Sequence, residues 1–342
     1  MKTSREIKIL SKGYNNSFIL INNIKHMPKE TVNRRNILKL LGASAIAPLL
    51  PQVSQSAATA QSSATAFSFK YCLNMSTIQG HKLGFIKELE TASKAGFRSV
   101  EIWMPSLQTY LTNGGTAKEA KKRINDLGLT IENCIGFAAW IVDDESRRKK
   151  GIEQMKTEMD LLAQIGCKRT AAPPMGATET PGLDLKKAAE RYRTILELGD
   201  TTGVVPHLEL WGFSKNLSRI SEVFYVALES GHPSAKVLLD VYHLYKGGSA
   251  LETLHLVNPF AVEILHINDY PVQLPPSLIT DADRIYPGDG VAPIKQIIKL
   301  LRKEGKPLVL STEVFNKNYY AQDALLVAKT ALAKMKKVTA GF

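Results

Sequence analysis

The sequence predicts a closed α/β fold, a (β/α)8 barrel, and three observations carry that expectation. Eight short apolar runs recur beyond residue 66 at intervals of roughly 25 to 45 residues. The stretches between them keep apolar side chains on one face at a 3.6-residue period. Gly96, Gly128, Gly166, Gly203, Gly231 and Gly305 then close those stretches just ahead of the next run, where a left-handed cap lets a helix turn back at little steric cost. Alternating strands and helices require a parallel sheet, and eight units over about 270 residues suit a closed barrel better than an open doubly wound sheet. No GxGxxG or GxxxxGKS/T follows the first run, which removes the sequence support for a nucleotide-binding open sheet.

In chain order, the first run is "FSFKYCLNM", followed by a helical pattern of Phe85, Ile86, Leu89 and Ala92 that ends at Gly96. "FRSVEIWMP" and "LTIENCIGF" come next, each rich in the β-branched and aromatic residues that fit a pleated surface. Met155, Met159 and Leu162 then mark a helix that stops at Gly166 before "CKRTAAPP". "VVPHLELWGF", "AKVLLDVYHL" and "AVEILHIND" supply the fifth to seventh strands, and "PLVLSTEVF" the eighth. Before that last run lies "PVQLPPSLITDADRIYPGDG", too long for an idle connection and of the length at which lids occur. Cys72, Cys134 and Cys167 fall inside or at the edge of apolar runs with no CxxC spacing, which predicts buried free thiols rather than a disulfide framework or zinc site.

Two units follow from this reading: residues 1–65 as an N-terminal extension and residues 66–342 as the barrel. The extension holds much of the basic excess. The chain of 342 residues carries a net charge of +12, yet residues 1–60 have nine Lys/Arg against two Glu, leaving +5 spread over the rest without runs. That distribution predicts no nucleic-acid partner. Arg34-Arg35 precedes a modest apolar stretch from Ile37 to Leu50 and small polar residues ending in Ala-Thr-Ala, which resembles a twin-arginine export signal. It implies the twin-arginine translocation machinery as a partner, cleavage near residues 58–65 and a periplasmic destination. Residues 1–26 are long for such a signal, and Met27 is an alternative start to Met1.

The chemistry lies in four successive late runs. Catalytic groups of such a barrel project from the C-terminal ends of its strands, and there stand Glu209 in "HLELWG", Asp240 in "LLDVYH", His266 in "ILHIND" and Glu313 in "LSTEVF". Three carboxylates brought so close would repel one another, so a divalent cation is the economical explanation. Oxygen-rich coordination with one imidazole suits Mn²⁺, Mg²⁺ or Co²⁺, with no thiolate to favour a structural Zn²⁺ site. His243, three residues beyond Asp240, and Arg284, in the long segment, are candidates to contact substrate oxygens. Glu101 and Trp103 at the end of the second run are candidates to line the pocket, Trp103 by offering a flat face to a sugar ring. Trp140 and Trp211 admit the same reading or core packing, and His207, two residues before Glu209, is either a pocket residue or barrel filling.

These motifs resemble the xylose-isomerase-like TIM barrels known as sugar phosphate isomerases/epimerases, which include ketose 3-epimerases, inosose-processing enzymes, hydroxypyruvate isomerase and, more distantly, endonuclease IV. The resemblance spans about residues 66–338 and is most specific in "LLDVYH", "ILHINDY", "DRIYPGDGVAP" and "LSTEVF". It implies that Glu209, Asp240, His266 and Glu313 bind one divalent metal ion, Mn²⁺ foremost with Mg²⁺, Co²⁺ or Zn²⁺ as alternatives. It also implies that His243 and Arg284 contact a small carbohydrate or keto-sugar substrate, and that the protein is a homodimer. The chain departs from the ketose 3-epimerases at Lys215, where that subgroup carries a glutamate.

The expected reaction is proton abstraction next to a carbonyl through an enediolate, with Glu209 and Glu313 removing and returning the proton, giving isomerisation or epimerisation. The same site would serve a lyase or dehydratase acting on 3-keto sugars or 3-keto-glycosides, and a non-catalytic sugar-binding barrel is the rival from another class.

Overall fold

The computed structural model describes residues 67–342. The expected twin-arginine signal, its cleavage near residues 58–65 and the choice between Met1 and Met27 lie outside the described residues. Among the described residues, no helix is long and apolar enough to cross a membrane.

All eight runs form parallel strands: β1 (Phe69–Asn74), β2 (Ser99–Trp103), β3 (Thr130–Ile135), β4 (Arg169–Ala172), β5 (Val205–Glu209), β6 (Lys236–Asp240), β7 (Ile264–Ile267) and β8 (Leu308–Thr312). Their order is β3-β2-β1-β8-β7-β6-β5-β4, so β1 closes against β8 and the two ends of the ladder, β3 and β4, lie side by side. That last seam is joined by side chains: the Thr170 hydroxyl donates to the Cys134 carbonyl at 3.3 Å, and Arg169 donates to the Glu132 carbonyl at 3.2 Å.

Inside the barrel, Cys72, Ile135, Ala171, Leu238, Ile264 and Val309 pack as one apolar layer. His207 fills the interior with them rather than reaching the mouth; it is buried, and burial pushes its pKa down to about 3. Outside, helices bury one stripe against the strands. Helix Ile294–Leu301 turns in Ile294, Ile297, Ile298 and Leu301, the i, i+3, i+4, i+7 pattern, each burial contributing about 1.5–3 kcal/mol. Trp140 belongs to this outer core: it is fully buried, donates its indole N–H to the Pro173 carbonyl at 2.9 Å and packs on Tyr192. The three cysteines are buried and free.

All six punctuating glycines adopt positive φ, but Gly305 does so away from a helix end. The preceding helix stops at Leu301, where Arg302 turns extended with its guanidinium 4.2 Å over Phe67, and Gly305 turns the loop that follows.

Candidate metal centre at the C-terminal mouth

The strand ends bring the predicted groups to one place. Glu209 closes β5, Asp240 closes β6, His266 lies in register with Asp240 on β7, and Glu313 follows β8 directly. Ligand atoms of Asp240, His266 and Glu313 lie within 4.8 Å of one another. Glu209 is buried alongside but outside that group of three.

Asp240 also caps a short helix, Val241–Lys246: its Oδ1 accepts the backbone N–H of His243 at 3.0 Å. "LLDVYH" is therefore a strand end turning into a helical turn, and the cap uses Oδ1 while Oδ2 faces His266 and Arg284. Asn268 donates to both Asp240 oxygens at 3.2 and 3.1 Å, and Asn74 donates to Glu313 Oε1 at 3.0 Å. Neither asparagine was singled out by sequence. Asn268 is two residues beyond His266, and that spacing on a strand was the available signal.

His266 shows what the mouth is built to hold. Its Nε2 lies 3.0 Å from Glu101 Oε1, an acceptor-only carboxylate, so Nε2 carries the proton. Its Nδ1 has no hydrogen-bond partner and faces Asp240 Oδ2 at 3.6 Å and Glu313 Oε2 at 3.3 Å. A lone pair turned toward two carboxylate oxygens is stable only with a cation between them, either a proton or a metal ion. The electrostatics say the same: burial lowers the affinity of His266 for a proton, but Glu101 and Glu313 outweigh it and hold the pKa well above the ordinary histidine value. Glu209 completes the donor set with a buried Oε2 that lacks a partner. Burial, helped by Glu313 and Glu101 and opposed by His266, pushes its pKa up to about 8. Three carboxylates and one imidazole fit a divalent cation, with Glu209 Oε2 and His266 Nδ1 free and the Asp240 and Glu313 oxygens shared with Arg284.

Glu101 does not line an open pocket. It is fully buried beneath His266 and accepts from Asn74 (2.9 Å), Asn133 (2.6 Å) and Ser311 (2.6 Å) as well. Burial alone would raise its pKa, yet His266 and these donors hold it below the usual value. Trp103 is half-buried at the rim, its indole N–H donated to Asn74 at 2.8 Å.

Arg284 is buried, not a surface arginine. Its Nη1 reaches Asp240 Oδ2 at 2.9 Å and Glu313 Oε2 at 2.6 Å, and its guanidinium lies 4.3 Å over the Tyr242 ring. Burial pushes the Asp240 carboxyl up, but Arg284 and then His266 outweigh it and hold it well below the carboxylate range. His243 accepts from Arg284 at 3.2 Å through Nε2, so its proton sits on Nδ1, which is buried without a partner. Burial, reinforced by Arg284, pushes its pKa down to about 4. The neutral ring is thus a free donor beside the metal-type cluster.

The long segment that delivers Arg284 is tied down by Asp269, whose carboxylate accepts backbone N–H groups of Tyr270, Gly288, Gly290 and Ala292 at 2.8–3.0 Å. Gly290 is required there: a Cβ would stand 2.2 Å from the Tyr270 carbonyl and 2.4 Å from Asp269 Oδ1.

A parallel barrel with a buried carboxylate-imidazole cluster at its C-terminal mouth is the architecture of a metal-dependent TIM-barrel enzyme. The sequence profile of the xylose isomerase-like TIM barrels matches residues 89–338, and the chain belongs to that family. It is similar to the inosose isomerase of Halalkalibacterium halodurans, 27% identical over 269 residues that cover 77% of this chain and 93% of the relative. The inosose isomerase of Bacillus subtilis is 26% identical over 280 residues, 79% and 96% of the two chains. Among solved structures, the IolI protein with a bound zinc atom superposes with a TM-score of 0.72 at 23% identity, covering 79% of this chain and 98% of its own.

Proposed function

We propose that this protein is a divalent-metal-dependent isomerase or epimerase of a small keto sugar, acting by proton transfer at the carbon beside a carbonyl. The observation that carries the reading is the His266 Nδ1 lone pair turned onto Asp240 and Glu313. Its fully buried Nε2 contact with Glu101 fixes the ring in that direction. The inosose isomerases that cover most of this chain support the same class of reaction.

Asp240, His266 and Glu313 would hold the ion, with Glu209 as fourth donor. Mn²⁺ is the proposed ion, since the donor set is oxygen-rich and lacks thiolate. When bound, the cation supplies Lewis acidity toward the substrate's carbonyl oxygen. Glu209 at the end of β5 and Glu313 just after β8 are three strands apart around the barrel, so in this reading one removes the proton and the other returns it. Arg284 and the Nδ1–H of His243 donate to substrate oxygens and stabilise the enediolate as its charge develops. Export by the twin-arginine route to the periplasm is part of the proposal and rests on Arg34-Arg35 and the apolar stretch after them.

The test is metal content by mass spectrometry with Glu313→Gln alongside, followed by hydrogen exchange at the substrate's α-carbon in D₂O. About one divalent ion per chain, lost in the variant, together with exchange on a keto sugar supports the reading. A folded wild type that takes up no ion on reconstitution overturns it.

A further inference from the structure

The barrel has a second concave site, at the end opposite the ligand cluster. A cavity of about 340 Å³ opens on the N-terminal floor, and its walls include Lys168, Arg169, His207, Ser234, Lys236 and Glu263. Strand register explains why they meet. His207 on β5 pairs with Lys236 on β6 and with Ala171 on β4, and Arg169 lies two residues before Ala171, on the same face of its strand. Arg169 and Lys236 therefore flank the imidazole from the two neighbouring strands.

Two features set this cavity apart from the salt bridges around it. The first is charge. Among the described residues, its walls carry three cations against one carboxylate. That carboxylate, Glu263, is already held by Arg169 Nε at 2.8 Å, with Lys236 Nζ at 3.9 Å. Further cations stand behind it: Lys303 is buried, its Nζ donated to the Val262 carbonyl at 2.9 Å, and Lys306 shares the Phe260 ring with it. Burial lowers the Lys303 pKa; Glu263 opposes that shift, and Lys236, Lys306 and Arg169 add to it, so the surroundings are short of negative charge. The second feature is the imidazole. His207 is 1% exposed, and its Nδ1 has no hydrogen-bond partner among the described residues. The charges that act on the ring are Glu263, Arg169 and Lys236, and burial keeps it neutral, with one N–H to donate. With cations on both sides, the partner that suits such a ring is an acceptor.

We propose that this floor cavity binds a small tetrahedral oxyanion, phosphate or the head of a phosphomonoester. Its donors come from three strands: Lys168 and Arg169 where β4 begins, His207 on β5, and Ser234 and Lys236 where β6 begins. A tetrahedral oxyanion sends acceptor oxygens in all of those directions, whereas a planar carboxylate offers its two on one side. A metal ion is a poor occupant, because one carboxylate and one imidazole among three cations make too few ligands. The bound anion ties β4, β5 and β6 together beside the β3–β4 seam and stabilises the folded chain by mass action. This site stands on its own residues and is independent of the function proposed for the mouth.

The experiment is equilibrium dialysis of the full chain against radiolabelled inorganic phosphate, with glycerol 3-phosphate and acetate as competitors at one ionic strength. It is repeated on Lys168→Met and Lys236→Met. The proposal expects one phosphate per chain, with binding weakened about tenfold in Lys236→Met and about threefold in Lys168→Met, whose side chain is exposed and whose loss leaves the fold intact. Acetate should compete at least about tenfold less well than glycerol 3-phosphate, since it fills fewer of the donors. Tighter binding of glycerol 3-phosphate than of phosphate identifies a phosphomonoester as the occupant, and the reverse identifies free phosphate. Charge removed at the floor is screened from the mouth in ordinary salt. Phosphate affinity unchanged in both variants therefore puts the anion elsewhere and overturns the proposal. Acetate competing as well as the phosphate compounds, or no phosphate retained at millimolar concentration, overturns it too. The function proposed for the mouth is untouched by any of these results.

Discussion

The two ends of the barrel both bury charge, and they handle it in opposite ways. At the N-terminal floor the carboxylates are answered by neighbouring side chains. Glu132 accepts from Lys70 (2.8 Å), Ser99 (2.9 Å) and Arg169 (3.3 Å), while Glu263 pairs with Arg169 at 2.8 Å and Lys236 at 3.9 Å. At the C-terminal mouth, by contrast, buried atoms of Glu209, His243, His266 and Arg284 have no partner. Leaving such atoms unpaired costs about 1–3 kcal/mol each. A fold that pairs its floor carboxylates and, His207 Nδ1 aside, concentrates that cost on the ionisable side chains of its mouth has its binding site there; the floor serves to close the β3–β4 seam that lacks a backbone ladder.

The comparison is broken most severely by Glu313→Gln, which should abolish metal retention and lower kcat about 10²–10⁴-fold, as steady-state kinetics and metal analysis would show. If metal and activity survive, the mouth is not the centre.

Glu101→Gln tests whether a residue that touches no substrate governs the mouth. It should weaken metal binding about 10–100-fold by competition with a chelator. The cobalt-substituted protein should show a changed visible spectrum, along with a lowered melting temperature because the amide NH2 meets two donors. A purely structural Glu101 would lower melting and leave the spectrum alone.

The pH response of the metal-free protein sharpens the contrast further. Glu209 at about 8 binds a proton more tightly folded than unfolded. Its stabilising contribution is therefore full below the ordinary carboxyl range and falls as pH rises through 8. His243, at about 4, works the other way, its contribution rising between pH 4 and 6.5. From pH 6.5 to 8 the Glu209 effect stands clear of His243 and amounts to about 2 kcal/mol, in addition to the decline that His266, held above its ordinary pKa, contributes from pH 6.5 upward. Denaturant titrations of wild type should show the summed decline and those of Glu209→Gln a shallower one.

The smallest effect belongs to the floor. Arg169→Met removes the bridge from β4 to Glu132 and Glu263, but the arginine is partly solvated, so the loss is about 1–2 kcal/mol. Metal binding and kcat should be unchanged at a temperature where the protein is folded. A loss of metal would mean that floor and mouth are not separable.

How much of this was written in the chain can be judged residue by residue. The eight strands and the six positive-φ glycines were legible because side-chain period and backbone strain are local properties. Asp240, His266 and Glu313 were legible because strand ends of a parallel barrel share one rim. Glu101 was visible as a late carboxylate on β2, but nothing local says that a buried histidine 165 residues away lies above it. Phe137, Phe213 and Phe315 read as ordinary loop aromatics until the closed barrel sets their rings against Trp103 and Trp211. Arg284 was legible as a candidate, and its burial between Asp240 and Glu313 was not.

The sequence by itself therefore determined the periodicity, the turn chemistry and which residue types stand at strand ends, all set by near neighbours in the chain. Tertiary structure decided which end leaves charge unpaired, which nitrogen of His266 is free, and which aromatic rings of the mouth meet. Those depend on barrel closure, which fixes distances between residues far apart in sequence, and a hydrogen bond or an unpaired lone pair exists only at such distances.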